Sequence, residues 1–357
     1  MVAHFVRQSA RPVLFVAMLT TLLLLLTMPA AAITWIDFQE AAGVLGQSVL
    51  DSNGTGGPTG SNFTGPRGIA VDPTTGKVFV VDTGHERVLR FSALAAVANG
   101  SPAEAVLGQP DFVSNVVTAT QSGMAGPIGV AVDKFGTLLV ADSPNNRVLT
   151  FINAATNANG TNATTVLGQP NFTSHAAHTT QNGLSLPNSL FIDGVQTLWV
   201  TDRNNNRVLR FDYPHWFVAG GNADGVLGQF DFTSAVASGT TSTRVGSPDG
   251  VTMDAQGRLY VVDETHNRVL IFDHAATLAN GAPACYVLGQ PNFTSNASNN
   301  GGLSARTLNG PIGIFFDVGR DNLWVADAVN QRVLRFASAV SGSPKLCNFV
   351  FIPLIVK

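Results

Sequence analysis

Two aspartates and one arginine recur at fixed positions in five similar sequence units. Carboxylates near a guanidinium can serve in acid–base catalysis or bind a metal, but an active site needs such a set only once. Because every unit carries the set, we interpret it as structural, with ion pairs that hold the tight corners of each unit. The predicted pairs are Asp72 with Arg87, Asp133 with Arg147, Asp193 with Arg207, Asp254 with Arg268, and Asp317 with Arg332.

The histidines do not form a recognisable metal-binding pattern. His85 and His266 occupy a turn position at which the other units have an asparagine, and both residue types tolerate strained turn conformations. His175 and His178 share one loop, with no Asp, Glu or Cys nearby to complete a zinc site. We therefore expect neither a bound metal nor a cofactor.

One position varies between units although its neighbours are nearly constant. It is the residue that follows a turn proline, and three of its five identities are polar, namely Arg67, Asn188 and Asp249. Polar side chains of both charge signs at equivalent positions form a candidate site for a polar ligand. Sequence drift at an exposed position explains the same variation, so both interpretations stay open.

An aromatic group in the third unit is a second candidate site. Tyr213, Trp216 and Phe217 replace an alanine-rich stretch of the other units. Aromatic side chains at a surface stack on sugar rings or anchor a protein partner. Local packing beneath the unit is the alternative, and we favour it.

These residues lie on a repeated framework. The tetrapeptide VLGQ begins at five valines that are separated by 62, 60, 60 and 61 residues, namely Val44, Val106, Val166, Val226 and Val287. Each complete unit contains four predicted strands, which we call a, b, c and d: strand a follows the turn proline, strand c is Val-Leu-x-Phe, and strand d is VLGQ. Strand b is almost entirely apolar, as in Leu198–Thr201, which indicates burial on both faces.

Sheets of four strands that cover one another on both faces are typical of a β-propeller. A linear stack would need capping units at its ends. The first VLGQ precedes the first a–b–c set, and the fifth set has no strand d after it. We therefore predict an all-β propeller of five blades, with Val44–Gln47 pairing beside Arg332–Phe336 to close the ring. Six blades, with one built from the C-terminal tail, is the alternative.

The repeated pattern, Gly-Pro-x-Gly-Ile/Val-Ala-Val-Asp followed by Val/Leu-x-Val-x-Asp-x-x-Asn/His-x-Arg-Val, resembles that of the NHL-repeat family. The resemblance extends over Val44–Phe336. It implies a propeller fold, for which six blades are typical. The family includes enzymes, binding modules and sensor domains, so it does not imply one function.

The ends of the chain predict export. Arg7 and Arg11 precede an apolar run, Val13–Met28, that is followed by an Ala-x-Ala pattern at Ala30–Ala32, so residues 1–32 read as a signal peptide and the protein as secreted or cell-surface. An uncleaved membrane anchor is the alternative. We assign residues 33–340 to the propeller and 341–357 to a tail. In an oxidising compartment Cys285 and Cys347 can form a disulfide, and two buried thiols are equally consistent with the sequence.

Composition excludes some function classes. Charged residues make up only 12% of the 357 residues, and the net charge of −3 becomes more negative once the leader is removed. Nucleic-acid binding is therefore not expected. We predict a monomeric, non-catalytic propeller, with no membrane span in the mature chain, that binds a protein or a glycan. The alternative is an extracytoplasmic metal-dependent enzyme similar to lactonases or the amidating lyase.

Overall fold

The computed structural model describes residues 41, 43–54, 56–93, 96 and 98–337. Their strands form five antiparallel sheets in which consecutive strands pair, and the helical structure is limited to short 3-10 turns. Both the all-β class and the five blades predicted from the sequence are confirmed. Blade 1 contains β1 (Pro66–Val71), β2 (Lys77–Asp82), β3 (Arg87–Ala93) and β4 (Ala105–Leu107); blade 2, β5 (Pro127–Val132), β6 (Leu138–Asp142), β7 (Arg147–Phe151) and β8 (Thr165–Leu167); blade 3, β9 (Pro187–Ile192), β10 (Leu198–Asp202), β11 (Arg207–Phe211) and β12 (Gly225–Leu227); blade 4, β13 (Pro248–Met253), β14 (Leu259–Asp263), β15 (Arg268–Phe272) and β16 (Tyr286–Leu288); blade 5, β17 (Pro311–Asp317), β18 (Asn322–Asp327) and β19 (Arg332–Ala337).

The hydrophobic core lies between successive blades. Strands β6, β10 and β14 are buried along their whole length, because each of these three strands is covered by a neighbouring blade on both faces. Between blades 1 and 2, for example, Phe79 packs in one cluster with Leu149. The first strands of the blades contact one another in chain order, β1 with β5, β5 with β9, β9 with β13 and β13 with β17.

The first VLGQ segment lies against blade 1. The amide of Val44 donates to Asn99 Oδ1 at 2.8 Å, and its carbonyl accepts from the amide of Gly100 at 3.1 Å. Val106 of β4 makes the same two bonds to the next blade. Val44 thus occupies the position of a fourth strand that precedes blade 1. Its predicted pairing with Arg332–Phe336 is not among the strand pairs of the described residues, in which blade 5 has three strands.

A repeated hydrogen bond joins each blade to the next. The residue before the arginine of the third strand has a positive φ, 53° at Asn146, and its side chain accepts a bond from the residue before the next blade's proline. The bonded pairs are Glu86 with Gly126, Asn146 with Leu186, Asn206 with Ser247, and Asn267 with Gly310. Within the described residues, the corresponding Gln331 of blade 5 makes no such bond.

The arginines pair with the other set of repeated aspartates, so the predicted partners are wrong. Arg87 faces Asp82 across the β2–β3 hairpin, and its Nε donates to Asp82 Oδ2 at 2.8 Å. An aspartate that ends a first strand lies at the opposite end of the blade from the arginine. The second strand runs back along the blade, and the third strand begins where the second one ends. The observed pairs are Asp82 with Arg87, Asp142 with Arg147, Asp202 with Arg207, Asp263 with Arg268, and Asp327 with Arg332.

The aspartates that end the first strands have a separate structural role. In blade 2, Asp133 Oδ1 accepts bonds from the amides of Phe135 at 2.8 Å and Thr137 at 2.7 Å. Such bonds satisfy the backbone of a tight turn. In blades 1, 3 and 4, Asp72, Asp193 and Asp254 accept the same kind of bond, and Asp317 of blade 5 is bonded by Arg320.

Several predictions on the chain ends lie outside the described residues, including the signal peptide at 1–32 and the tail at 341–357. Cys285 is buried beside β16, but Cys347 is not described, so the disulfide stays a prediction. No helix among the described residues is long and apolar enough to cross a membrane.

Candidate functional site

Two of the three polar residues that follow turn prolines meet between blades 3 and 4. Asn188 is the second residue of β9 and Asp249 is the second residue of β13, and these two strands are adjacent. The amide of Asn188 donates to Asp249 Oδ1. The sequence placed both residues at equivalent positions, and the packing of neighbouring first strands brings them into contact.

Two charged side chains from the turns between second and third strands complete this group. Arg203 follows β10 and donates through Nε to Asp249 Oδ1 at 3.2 Å, and its Nη2 donates to Glu264, which follows β14. We call Asn188, Arg203, Asp249 and Glu264 the charged cluster. Arg203 and Glu264 occupy equivalent positions in successive blades, so the arginine of one blade reaches the carboxylate of the next.

Arg203 and Glu264 were not predicted from the sequence, although a signal was present. The residue after the aspartate of each second strand varies as much as the position after the proline, being Thr83, Ser143, Arg203, Glu264 and Ala328. In blade 1 the equivalent Thr83 donates its hydroxyl to the backbone carbonyl of Pro127 at 2.7 Å. Among the blade interfaces that the structure describes, only the one between blades 3 and 4 carries polar side chains at both variable positions that reach one another.

Burial changes the ionisation of the charged cluster. Asp249 is only 8% exposed, and burial together with the nearby carboxylate of Glu264 raises the pKa of Asp249 to about 6, against the opposing effect of Arg203. Arg203 and Glu264 are less buried, with side chains 33% and 30% exposed. The cluster therefore presents one arginine shared between two carboxylates, of which Asp249 titrates close to neutral pH.

The raised pKa of Asp249 predicts a pH-dependent stability. The folded state holds the proton up to about pH 6, whereas an unfolded aspartate loses it near pH 4, so stability falls as the pH rises between these values. We expect wild type to lose about 2 kcal/mol of unfolding free energy relative to Asp249→Asn between pH 4 and pH 7. Urea unfolding of both proteins at the two pH values measures this difference. Parallel pH profiles would contradict it.

The other residues proposed from the sequence lie apart from the charged cluster. Arg67 is exposed at the start of β1, and no hydrogen bond or ion pair joins it to Asn188 or Asp249 among the described residues. At the same position blades 2 and 5 carry Ile128 and Ile312. The structure thus brings together two of the three candidates.

The aromatic group divides into a buried and an exposed part. Trp216 is fully buried in the cluster between blades 2 and 3, and its Nε1 donates to the carbonyl of Gln196 at 2.9 Å. Tyr213 is 57% exposed, and Phe217, partly buried, packs edge-on against Trp216 with ring centroids 5.4 Å apart. Trp216 therefore has the packing role that we favoured from the sequence, and Tyr213 is the most exposed of the three rings.

The two turn histidines replace asparagine in a structural bond. His85 Nδ1 lies 2.8 Å from Asp82 Oδ2, and Asn145 Nδ2 donates to Asp142 Oδ2 at 2.9 Å in the same position of blade 2. His266 contacts Asp263 in the same way. Among the residues that the structure describes, no group of three or more His, Cys, Asp or Glu is placed to hold a metal ion.

The family comparison agrees with this geometry. The model of the NHL repeat matches residues 63–91, 124–151 and 246–272, each of which begins near the start of a first strand and ends in a third strand. The chain is an NHL-repeat β-propeller. The matches fall in blades 1, 2 and 4, and blades 3 and 5 repeat the same strand order and the same Asp–Arg bond.

Comparison with solved structures finds matches at low identity and low structural similarity. A protein of unknown function from Bacteroides thetaiotaomicron is 19% identical with a TM-score of 0.48, and the match covers 75% of this chain and 58% of that one. An auxiliary nutrient binding protein from Bacteroides ovatus is 12% identical with a TM-score of 0.47, covering 78% and 60%. Virginiamycin B lyase from Staphylococcus aureus is 12% identical with a TM-score of 0.40, covering 78% and 72%. A search of curated proteins gave no match. These similarities are too low to transfer a function.

Proposed function

We propose that this NHL-repeat propeller is an exported, non-catalytic binding module whose charged cluster recognises a glycan or a polar surface of a protein. The observation that carries the proposal is the meeting of four polar side chains of both charge signs at one interface between blades. The other interfaces between described blades have the same backbone but lack this set, so the cluster is a feature added to the framework rather than part of it.

The cluster offers both donors and acceptors to a ligand. Arg203 and Glu264 are about one-third exposed, and Asn188 Oδ1 is buried without a hydrogen-bond partner among the described residues. A buried acceptor that lacks a partner is costly, so a ligand hydroxyl or amine that reaches it gains a hydrogen bond. Sugar hydroxyls, each of which both donates and accepts, suit such a mixture of groups.

Loops around the charged cluster are held in fixed positions. The glutamine of each VLGQ segment bonds the long connection that leads to the next blade. In the fourth segment, the amide of Val236 donates to Gln229 Oε1 at 3.1 Å, and the carbonyl of Val236 accepts from Gln229 Nε2 at 3.0 Å. Gln169 bonds Ala176 similarly. Rigid loops on a scaffold are a usual location for recognition, since little entropy is lost on binding.

A glycan array tests the proposal. Wild type is applied to an array of neutral, amino and acidic glycans, and the best binder is titrated against Asp249→Asn and Asn188→Ala. We expect both variants to weaken binding by about tenfold, which corresponds to about 1.4 kcal/mol, because Asn188→Ala removes a hydrogen-bonding side chain and Asp249→Asn removes a charge that pairs with Arg203. Arg67→Ala serves as the control and should change affinity less than twofold. Binding that survives both cluster variants would refute the site.

One observation favours a second candidate, an extracytoplasmic enzyme. A carboxyl group whose pKa is raised towards neutral pH is suited to general acid–base catalysis, and burial raises the pKa of Asp249 to about 6 beside the carboxylate of Glu264. The two functions differ in the fate of the ligand. Mass spectrometry of a bound glycan after long incubation at pH 6 should recover it unchanged from a binding module and cleaved or rearranged from an enzyme. Elemental analysis of the same sample tests for a bound metal.

A further inference from the structure

A cavity of about 490 Å³ opens at the other end of blades 3 and 4, where the first strands turn into the second strands. Phe191, Ile192 and Met253, from the ends of β9 and β13, form its apolar wall. Val195 and Val318, from the turns of blades 3 and 5, add apolar surface at the rim, where they are 74% and 60% exposed. The volume is within the range of small-molecule sites, which are concave and mainly apolar.

The cavity arises because the turns of blades 3 and 4 leave open space that is filled elsewhere. A Cβ added at Gly194 or at Gly257, both of which line the cavity, would meet no atom within 4 Å. In blade 2, by contrast, a Cβ on Gly136, the equivalent of Gly257, would lie 3.3 Å from Asp72 Oδ2 of blade 1. The sequence repeat therefore does not produce an equal cavity at each interface.

A single uncompensated carboxylate gives the cavity its charge preference. Asp193 accepts bonds from the amides of Val195 at 3.0 Å and Thr197 at 2.9 Å, and no Lys, Arg or His of the described residues forms an ion pair with it. The other carboxylate of the lining, Asp254, is neutralised by Arg258 and also accepts the hydroxyl of Tyr260.

The remaining ionisable side chain of the lining is His274, which contacts the carboxylate of Asp273 at 3.0 Å. We propose that this cavity binds a small aromatic cation, with the ring against Phe191, Ile192 and Met253 and the ammonium group near Asp193. The aromatic ring matches the apolar wall, and the positive charge matches the carboxylate that has no cationic partner. This site is on the face opposite the charged cluster and does not depend on the function proposed for that cluster.

Two probes with the same ring and opposite charge test the ligand class. Tryptamine and indole-3-propionate are titrated separately into the protein at pH 7.5, with binding followed by ligand-observed NMR. We expect saturable binding of tryptamine, at least threefold tighter than binding of the acid. Equal affinities would overturn the assignment to a cation, and absence of saturable tryptamine binding would overturn the site.

Variants locate the binding within the cavity. Ala276 is exposed and lines the cavity, so Ala276→Phe should fill it and weaken tryptamine binding at least tenfold. Ala279→Phe is the matched control, because Ala279 is exposed on the same loop but is not part of the lining, and affinity should be unchanged. Asp193→Asn keeps an acceptor for the turn amides but removes the charge. It should weaken tryptamine binding about threefold and abolish the preference over the acid. Tryptamine affinity that is unaffected by Ala276→Phe would refute the proposal, provided that thermal melting shows the variant to be folded.

Discussion

Replacing Arg207 by methionine is expected to destabilise the protein by about 3–5 kcal/mol, because it leaves a buried carboxylate without its counter-ion. Arg207 and Asp202 are both fully buried, and Arg207 Nε donates to Asp202 Oδ2 at 2.6 Å. The same guanidinium donates to three backbone carbonyls, at Thr180, Gly183 and Phe232, which belong to the loops before and after the blade. Methionine fills much of the volume but bonds none of them. Urea unfolding at pH 7 measures the loss.

The equivalent arginine of blade 5 provides a control with the same change of residue and charge. Arg332 bonds Asp327 and the carbonyls of Ser304 and Thr307, but its side chain is 24% exposed, so water can replace part of what is lost. We expect Arg332→Met to cost about 1–2 kcal/mol. Equal losses in the two variants would show that burial does not set the strength of the pair.

The loss at Arg207 should also depend on pH. Burial raises the pKa of Asp202, and the charge of Arg207 is the largest effect that opposes this rise. Without the arginine the pKa rises further, so the folded variant holds a proton that the unfolded chain releases near pH 4. The variant should therefore be less impaired at pH 5 than at pH 8.

The fold was predictable because the repeat itself constrains it. Four strands per unit can be located from the near-constant spacing of VLGQ, the turn proline and the apolar second strand. Only a closed or stacked set of sheets buries both faces of β10. The partners of the arginines were not predictable by the same reasoning. The separation of Asp72 and Arg87 in the sequence does not show at which end of the blade each residue lies. Because strand direction alternates, the hairpin register places Arg87 opposite Asp82.

The candidate site was predictable only in part. Asn188 and Asp249 differ from their counterparts in other blades, and that difference singles them out in the sequence. The contribution of Arg203 depends on a side chain that crosses from one blade to the next, and the sequence does not give that distance. The cavity beside Gly194 and Gly257 is a space between turns, which no residue type signals.

Replacing Gly129 by alanine should destabilise the propeller by about 3 kcal/mol, because the first strands of neighbouring blades approach closely there. A Cβ on Gly129 would overlap the backbone carbonyl of Asn188, and it would lie 3.1 Å from the carbonyl carbon of that residue. A backbone group cannot move aside as a flexible side chain can, so β9 must shift. Because Asn188 belongs to the charged cluster, the same variant should also lose affinity for a ligand of that cluster.

Gly313 of blade 5 is the control for this prediction, since it occupies the equivalent position in β17. A Cβ there would come no closer than 3.4 Å to any described atom outside its own neighbours, and that atom is Cβ of Ala326 in the same blade. We expect Gly313→Ala to change the unfolding free energy by less than about 1 kcal/mol, as measured in urea. If both alanine variants lost equal stability, Gly313 would also have to lie against the backbone of another strand. The close approach that makes glycine necessary at Gly129 would then recur in blade 5.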